Sequence, residues 1–161
     1  MKTYAFLAAL FLCGCMQQKT VAIDTSVSEA ELAPYREAGT ASITGQGFLR
    51  QNGGGVVTCA GSQVILAPDL PPIRQAIDAA RAGSQVQFGG QQWGDAGRKT
   101  ICDAQGNFSF EQLPAANWYV LTEVRWEVGY SSQGGTLGAP VTTRPGEQSH
   151  LVLSDDDFLA R

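Results

Sequence analysis

Residues 98–128 read RKTICDAQGNFSFEQLPAANWYVLTEVRWEV, and their pattern decides the fold class. Arg98 to Asp103 predicts a strand that ends in Asp103-Ala104-Gln105-Gly106, a turn with glycine at its last position. Asn107 to Glu111 predicts a second strand with Phe108 and Phe110 on one face. Leu113-Pro114 turns the chain again. From Trp118 the alternation is unbroken: Trp118, Val120, Thr122, Val124, Trp126 and Val128 share one face, and Tyr119, Leu121, Glu123, Arg125 and Glu127 the other. The first face is expected in the core, where burial contributes about 25 cal/mol per Å² of apolar surface. The second is expected to be mostly solvated, with Glu123, Arg125 and Glu127 pairing along the strand. Strand, turn, strand, corner and long strand give an all-β unit.

The rest of the chain extends this reading. Gly39 to Arg50 predicts a strand in which Ala41, Ile43, Gly45 and Gly47 share one parity, the glycines marking a bend or a close backbone approach. Gln51-Asn52-Gly53-Gly54-Gly55 is a turn signal. It lacks the Lys-Ser/Thr and the helix start that a phosphate-binding loop requires. Val64-Ile65-Leu66 forms the core of another strand, stopped by Pro68. Ile73, Ala76, Ile77 and Ala80 then fall at helical spacing, with prolines at the start and Gly83 at the stop; one short amphipathic helix is expected between strands. A polar connection follows, with a short strand at Gln85–Phe88. Gly134–Thr143 and Gln148–Leu153 complete about seven strands.

The chain has 161 residues, 43% hydrophobic and 16% charged, which suits one globular domain with short appendages. Its formal net charge of −4 argues against a nucleic-acid partner, which would favour a basic surface.

Residues 1–15, MKTYAFLAALFLCGC, have the shape of a targeting segment: Lys2, then an apolar run of about ten residues, too short to span a bilayer. The sequence Leu12-Cys13-Gly14-Cys15 resembles a bacterial lipobox, in which Cys15 is lipidated and becomes the mature N-terminus. An ordinary secretory signal cleaved nearby is the alternative. The resemblance implies a signal peptide over 1–14, acyl chains such as palmitate on Cys15, and a membrane-anchored protein of the bacterial cell envelope. In a host with two membranes, Met16 in place of aspartate implies the outer membrane, facing the periplasm. Residues 15–38 are expected to be a polar tether; Ser28 and Glu31 could form a capping box, but Pro34 limits that helix and a spacer is the favoured reading. Residues 155–161 are expected to be an acidic, solvated tail.

Of the four cysteines, Cys13 leaves with the signal and Cys15 carries lipid. Cys59 and Cys102 remain, in an oxidising compartment, and a disulfide between them is expected. A metal or redox pair is the rival, but neither cysteine lies in a CxxC and His150 is the single histidine.

The run Asp103-Ala-Gln-Gly106-Asn-Phe108-Ser-Phe110-Glu-Gln-Leu113-Pro114, with the aromatic strand after it, resembles the carboxypeptidase-regulatory-like domain. The resemblance implies a transthyretin-like (prealbumin-like) β-sandwich over residues 39–154. Ala116, where that family usually has glycine, and the insertion at 69–97 depart from the pattern. In the carboxypeptidases this module carries no catalytic residues. Hydroxyisourate hydrolases and intradiol dioxygenases have similar sandwiches, but need several histidines, or two histidines and two tyrosines for iron. No catalytic residue, metal ligand or cofactor is therefore expected, and no Gly-x-Ser-x-Gly elbow occurs. Asp155-Asp156-Asp157 lacks the glycine turn and distant glutamate of a calcium loop.

The leading expectation is a lipid-anchored, non-catalytic envelope module that binds or supports another envelope component. The alternative is a glycan- or peptide-binding lipoprotein, with Gln91, Gln92, Trp93, Tyr130 and Gln133 as the candidate surface. Their aromatic and amide groups suit sugar recognition. Any recognition surface is expected in 84–97 and 129–138, the less regular stretches.

Overall fold

A computed structural model describes residues 19–89 and 94–160. In chain order the elements are β1 (Thr20–Asp24), α1 (Glu29–Arg36), β2 (Ala41–Arg50), β3 (Val56–Thr58), β4 (Gln63–Pro68), α2 (Pro71–Arg81), β5 (Gln85–Gly89), β6 (Arg98–Ile101), β7 (Asn107–Leu113), β8 (Asn117–Val128), β9 (Ser131–Thr142), β10 (Gln148–Leu153) and β11 (Phe158–Ala160). Short 3₁₀ turns stand at Gly94–Ala96 and Asp155–Asp157.

The fold is the expected all-β sandwich, with more strands than the seven anticipated. One sheet runs β10-β2-β3, with β7 also paired to β2; the facing sheet runs β11-β9-β8-β4-β6. Between them lies one large core. Ile43, Leu49, Phe108, Phe110, Leu113 and Leu153 enter from the first sheet, and Val64, Leu66, Trp118, Val120, Val124 and Leu137 from the second.

β2 sits at the centre of its sheet, parallel to β10 and antiparallel to β7 and β3. Its glycines do what the sequence suggested. A Cβ on Gly45 would stand 2.4 Å from the Leu151 carbonyl oxygen and from the Phe108 ring, and one on Gly47 would stand 2.9 Å from the Cys59 sulfur. The absent side chains make room for Phe108 and for the disulfide.

Cys59 and Cys102 are bonded, with an S–S distance of 1.97 Å and Cα atoms 5.8 Å apart. Cys59 follows β3 and Cys102 follows β6, so the bond staples the two sheets together. The 103–106 turn is built by Asp103, whose carboxylate accepts hydrogen bonds from the Gln105 and Asn107 main-chain N–H groups and from the Asn107 amide. These bonds, those of Asn107 first, hold the Asp103 carboxyl below its ordinary pKa.

α2 forms where its spacing predicts and lays Ile73 and Ile77 on the outer face of the five-stranded sheet, against Ala67 and Leu159. Arg74 pairs with Asp69 at 3.1 Å at the helix entry.

Three expectations need correction. The expected tether is folded from Thr20 onward. β1 pairs in parallel with β5 as a separate ribbon, and Ile23 is buried. α1 opens on a complete Ser28–Glu31 capping box and buries Leu32 with Leu70 and Ala96. Tyr35 packs edge-on against Trp118, with ring centroids 4.9 Å apart. Pro34 does not prevent the helix: it is the sixth of eight residues and forgoes one main-chain hydrogen bond, and the helix forms nonetheless. Nor are residues 155–161 a solvated tail. Ser154 N–H donates to Asp157 Oδ2, and β11 then pairs with β9 and buries Leu159. Finally, the stretch 129–138, expected to be less regular, is strand from Ser131, three residues before the expected Gly134: β8 and β9 pair in unbroken register from Asn117↔Thr142 to Val128↔Ser131.

Candidate binding cleft

The core face of β8 does not stay buried to its end. Trp118, Val120 and Val124 are fully enclosed, Trp126 is half-buried, and Val128 is exposed. The β8–β9 hairpin thus overhangs the facing sheet. Cross-strand register places Gln133 opposite Trp126 and Ser131 opposite Val128. Directly opposed residues share a face of an antiparallel ladder, so the Gln133 amide stands beside the Trp126 indole.

Under this overhang lies a cleft of about 580 Å³. Its walls come from three parts of the chain. Leu49, Arg50 and Asn52 belong to the end of β2 and the turn after it. Arg125, Trp126, Ser132, Gln133 and Gly134 belong to the β8–β9 hairpin. Asp155 and Phe158 come from the C-terminal segment.

Each cation in the wall is matched. Arg50 Nη1 lies 3.1 Å from Asp155 Oδ2, and the Arg50 main-chain N–H donates to Asp155 Oδ1, also at 3.1 Å. The Arg50 guanidinium rests over the Phe48 ring, 5.4 Å from its centroid. Arg125 Nε and Nη2 donate to the two oxygens of Glu123, at 3.3 and 3.1 Å, the ion pairing along the strand that the alternation predicts. Those bonds, and then the Glu123 charge, raise the Arg125 pKa further. The cleft therefore combines aromatic and aliphatic surface with hydrogen-bond donors and acceptors, and its charges are balanced locally.

Of the residues proposed from sequence, Gln133 lines this cleft. Tyr130 lies at the tip of the same hairpin, fully exposed, and is not part of the wall. Gln91, Gln92 and Trp93 lie outside the described residues, as does Cys15. Alternation places Trp126 on the core face, but it does not show where the opposite sheet stops, and Trp126 stands past that point, half-buried. Arg50, Asn52, Asp155 and Phe158 carried no site signal; Arg50 and Asp155 are 105 positions apart and meet only through the fold.

His150 lies outside the cleft, exposed on β10, with Nδ1 3.3 Å from Thr44 Oγ1 of the neighbouring strand. Among the described residues no three His, Cys, Asp or Glu side chains gather as a metal ion would require.

This architecture and cleft define the chain as a two-sheet β-sandwich with a polar–aromatic groove at one end. No protein-family model matches it, and no curated protein matches it significantly. Among solved structures, a candidate carbohydrate-binding protein of Pseudomonas aeruginosa has the same fold, with a TM-score of 0.66 and 21% identity, covering 80% of this chain and 97% of that one. A chlorocatechol 1,2-dioxygenase of Pseudomonas putida is far less similar. It has 13% identity and a TM-score of 0.31 over 91% of this chain and 69% of its own, too low to bear on function.

Proposed function

We propose that this protein is a carbohydrate-binding module anchored in a bacterial envelope through lipidated Cys15. One observation carries the binding reading: the half-buried Trp126 indole, beside the Gln133 amide, shares a cleft with Arg50–Asp155, Asn52 and Ser132. A pyranose ring needs an apolar face to stack on and polar groups around its rim, and this wall offers both. The Pseudomonas aeruginosa protein of like fold, itself a candidate carbohydrate binder, fits this reading. So does the resemblance of residues 103–114 to the carboxypeptidase-regulatory-like domain, a module that accompanies catalytic domains. Glycoside hydrolysis generally requires two carboxyl groups flanking the scissile bond. Here the carboxylate in the wall, Asp155, is engaged by Arg50, which favours binding over cleavage. The lipobox-like Leu12-Cys13-Gly14-Cys15 supports the anchor.

The test is a glycan array probed with the full chain in detergent, followed by titration of any hit against the Trp126→Ala variant. Retention of at least one glycan, weakened at least tenfold in the variant, is expected; a stacked ring is worth about 1.4 kcal/mol or more. A blank array, or equal binding by the variant, would remove the reading.

A further inference from the structure

The balance of charge in the cleft says which sugars it suits. Arg50 supplies a positive group and already holds the Asp155 carboxylate at 3.1 Å; Arg125, whose side chain takes the opposite face of β8 from Trp126, holds Glu123 at 3.1 Å. An anionic ligand meets no unbalanced cation there and must compete with a carboxylate already in place. The net charge of the whole chain, −4, gives a polyanion no long-range attraction either.

Hydroxyl groups face the opposite situation. A guanidinium has five N–H donors and a carboxylate about four acceptor sites. Asp155 uses Oδ1 for the Arg50 main-chain N–H and Oδ2 for Arg50 Nη1. Both partners keep capacity, donors on one and acceptors on the other, side by side. A sugar hydroxyl is donor and acceptor together, so neighbouring hydroxyls can accept from the guanidinium and donate to the carboxylate. The pair is also fixed before any ligand arrives: Asp155 is gripped by main chain and side chain, and the guanidinium lies over Phe48. The Gln133 amide, beside Trp126, offers a second donor–acceptor pair to the same ring.

We infer that the cleft selects neutral glycans over acidic ones, with the Arg50–Asp155 pair reading adjacent hydroxyls of a pyranose stacked on Trp126. The inference rests on the glycan reading above and names its ligand class.

The experiment titrates the full chain in detergent with chitohexaose, maltohexaose and cellohexaose, and with hexagalacturonate as an acidic oligomer of equal length. At least one neutral hexasaccharide should bind. Its affinity should change less than about twofold between about 50 and about 500 mM sodium chloride, because screening acts on net charge. Hexagalacturonate should bind at least about tenfold more weakly than that neutral ligand. Asp155→Asn removes an ionic acceptor and leaves Arg50 unpaired. It should weaken neutral binding about tenfold and strengthen hexagalacturonate binding in a salt-sensitive way. Arg50→Gln should weaken neutral binding without that gain, and near-ultraviolet circular dichroism will establish that both variants are folded.

Tighter, salt-sensitive binding of hexagalacturonate by the unaltered protein would overturn the inference and leave the glycan reading standing. So would a folded Asp155→Asn variant with unchanged affinities. Failure of all four oligomers to bind would overturn both.

Discussion

Thr143 is the residue on which one end of the sandwich depends. Its hydroxyl is buried and has one hydrogen and two lone pairs to use. It donates to the Pro114 carbonyl oxygen at 2.7 Å and accepts from Ala116 N–H at 3.0 Å and from Trp118 Nε1–H at 3.1 Å. All its capacity is spent, and the Trp118 indole N–H has its partner in the middle of the core. Thr143→Val keeps the shape and strands these groups, so a loss of about 2–3 kcal/mol is expected, read as a lower urea midpoint with an unchanged slope. Asp103 acts by charge instead. Its folded pKa is depressed by its hydrogen bonds to Asn107 and Gln105. A depressed carboxylate contributes stability that is fully present above its unfolded pKa and is lost as pH falls through the folded one. Wild-type stability should therefore fall more steeply than that of Asp103→Ala between about pH 5 and pH 2, with the two curves converging in acid. Parallel curves would place the charge outside the energetics of the turn. The turn itself was legible, because Asp at its first position and Gly at its last each have a local reason. The Thr143 hub was not: a threonine after a strand gives no sign that a tryptophan twenty-five positions earlier will donate to it.

At the scale of elements, legibility followed the length of the pattern. β8 repeats its alternation over twelve residues and α2 its spacing over eleven, enough for periodicity to show. β1 has five residues and α1 eight, with a proline inside; α1 has its capping box, but both elements are too short to hold without what they pack on. Ser131 to Gln133, ahead of the strand expected from Gly134, reads as loop because it is rich in Ser and Gln. It is strand because β8 supplies a full ladder, and the glycines that follow are wanted there: a Cβ on Gly135 would stand 2.1 Å from the Ala160 carbonyl oxygen of β11. Two predictions belong to this scale. Leu32→Ala should cost about 2–3 kcal/mol, because Leu32 is buried with Leu70 and Ala96 under α1. A solvated tether would lose nothing, so guanidinium unfolding of the variant separates the two. The Cys59–Cys102 bond closes a span of 43 positions, for which chain entropy gives about 4 kcal/mol. Unfolding in guanidinium with and without reductant should show a difference of that order. Equal midpoints would mean that the sheets hold each other without the staple.

The cleft belongs to the whole molecule, and for that reason it escaped the sequence. It needs the end of β2, the overhang of β8 and β9, and the return of the C-terminal segment, and no two of these are neighbours in the chain. Cys15 and Leu12-Cys13-Gly14, by contrast, form a local pattern readable without a fold. Joining the two gives the last prediction. β1 starts at Thr20, so five residue steps separate the proposed lipidation site from the folded body. An extended chain covers at most about 18 Å in that distance. The sandwich would thus ride close to the membrane surface rather than far out on the long tether that residues 15–38 suggested. Among the described residues no helix is long and apolar enough to cross a bilayer. Cys15→Ser should then move the protein, made in a bacterium with a lipoprotein pathway, from the membrane pellet to the soluble fraction. The unaltered protein should stay in the pellet through a carbonate wash, since several acyl chains bind far more firmly than one. Lengthening residues 16–19 with a flexible Gly/Ser segment should leave it in the pellet but open β1 to a protease added from outside the bilayer. A Cys15→Ser protein that still resists the wash would rule out the lipid as the anchor.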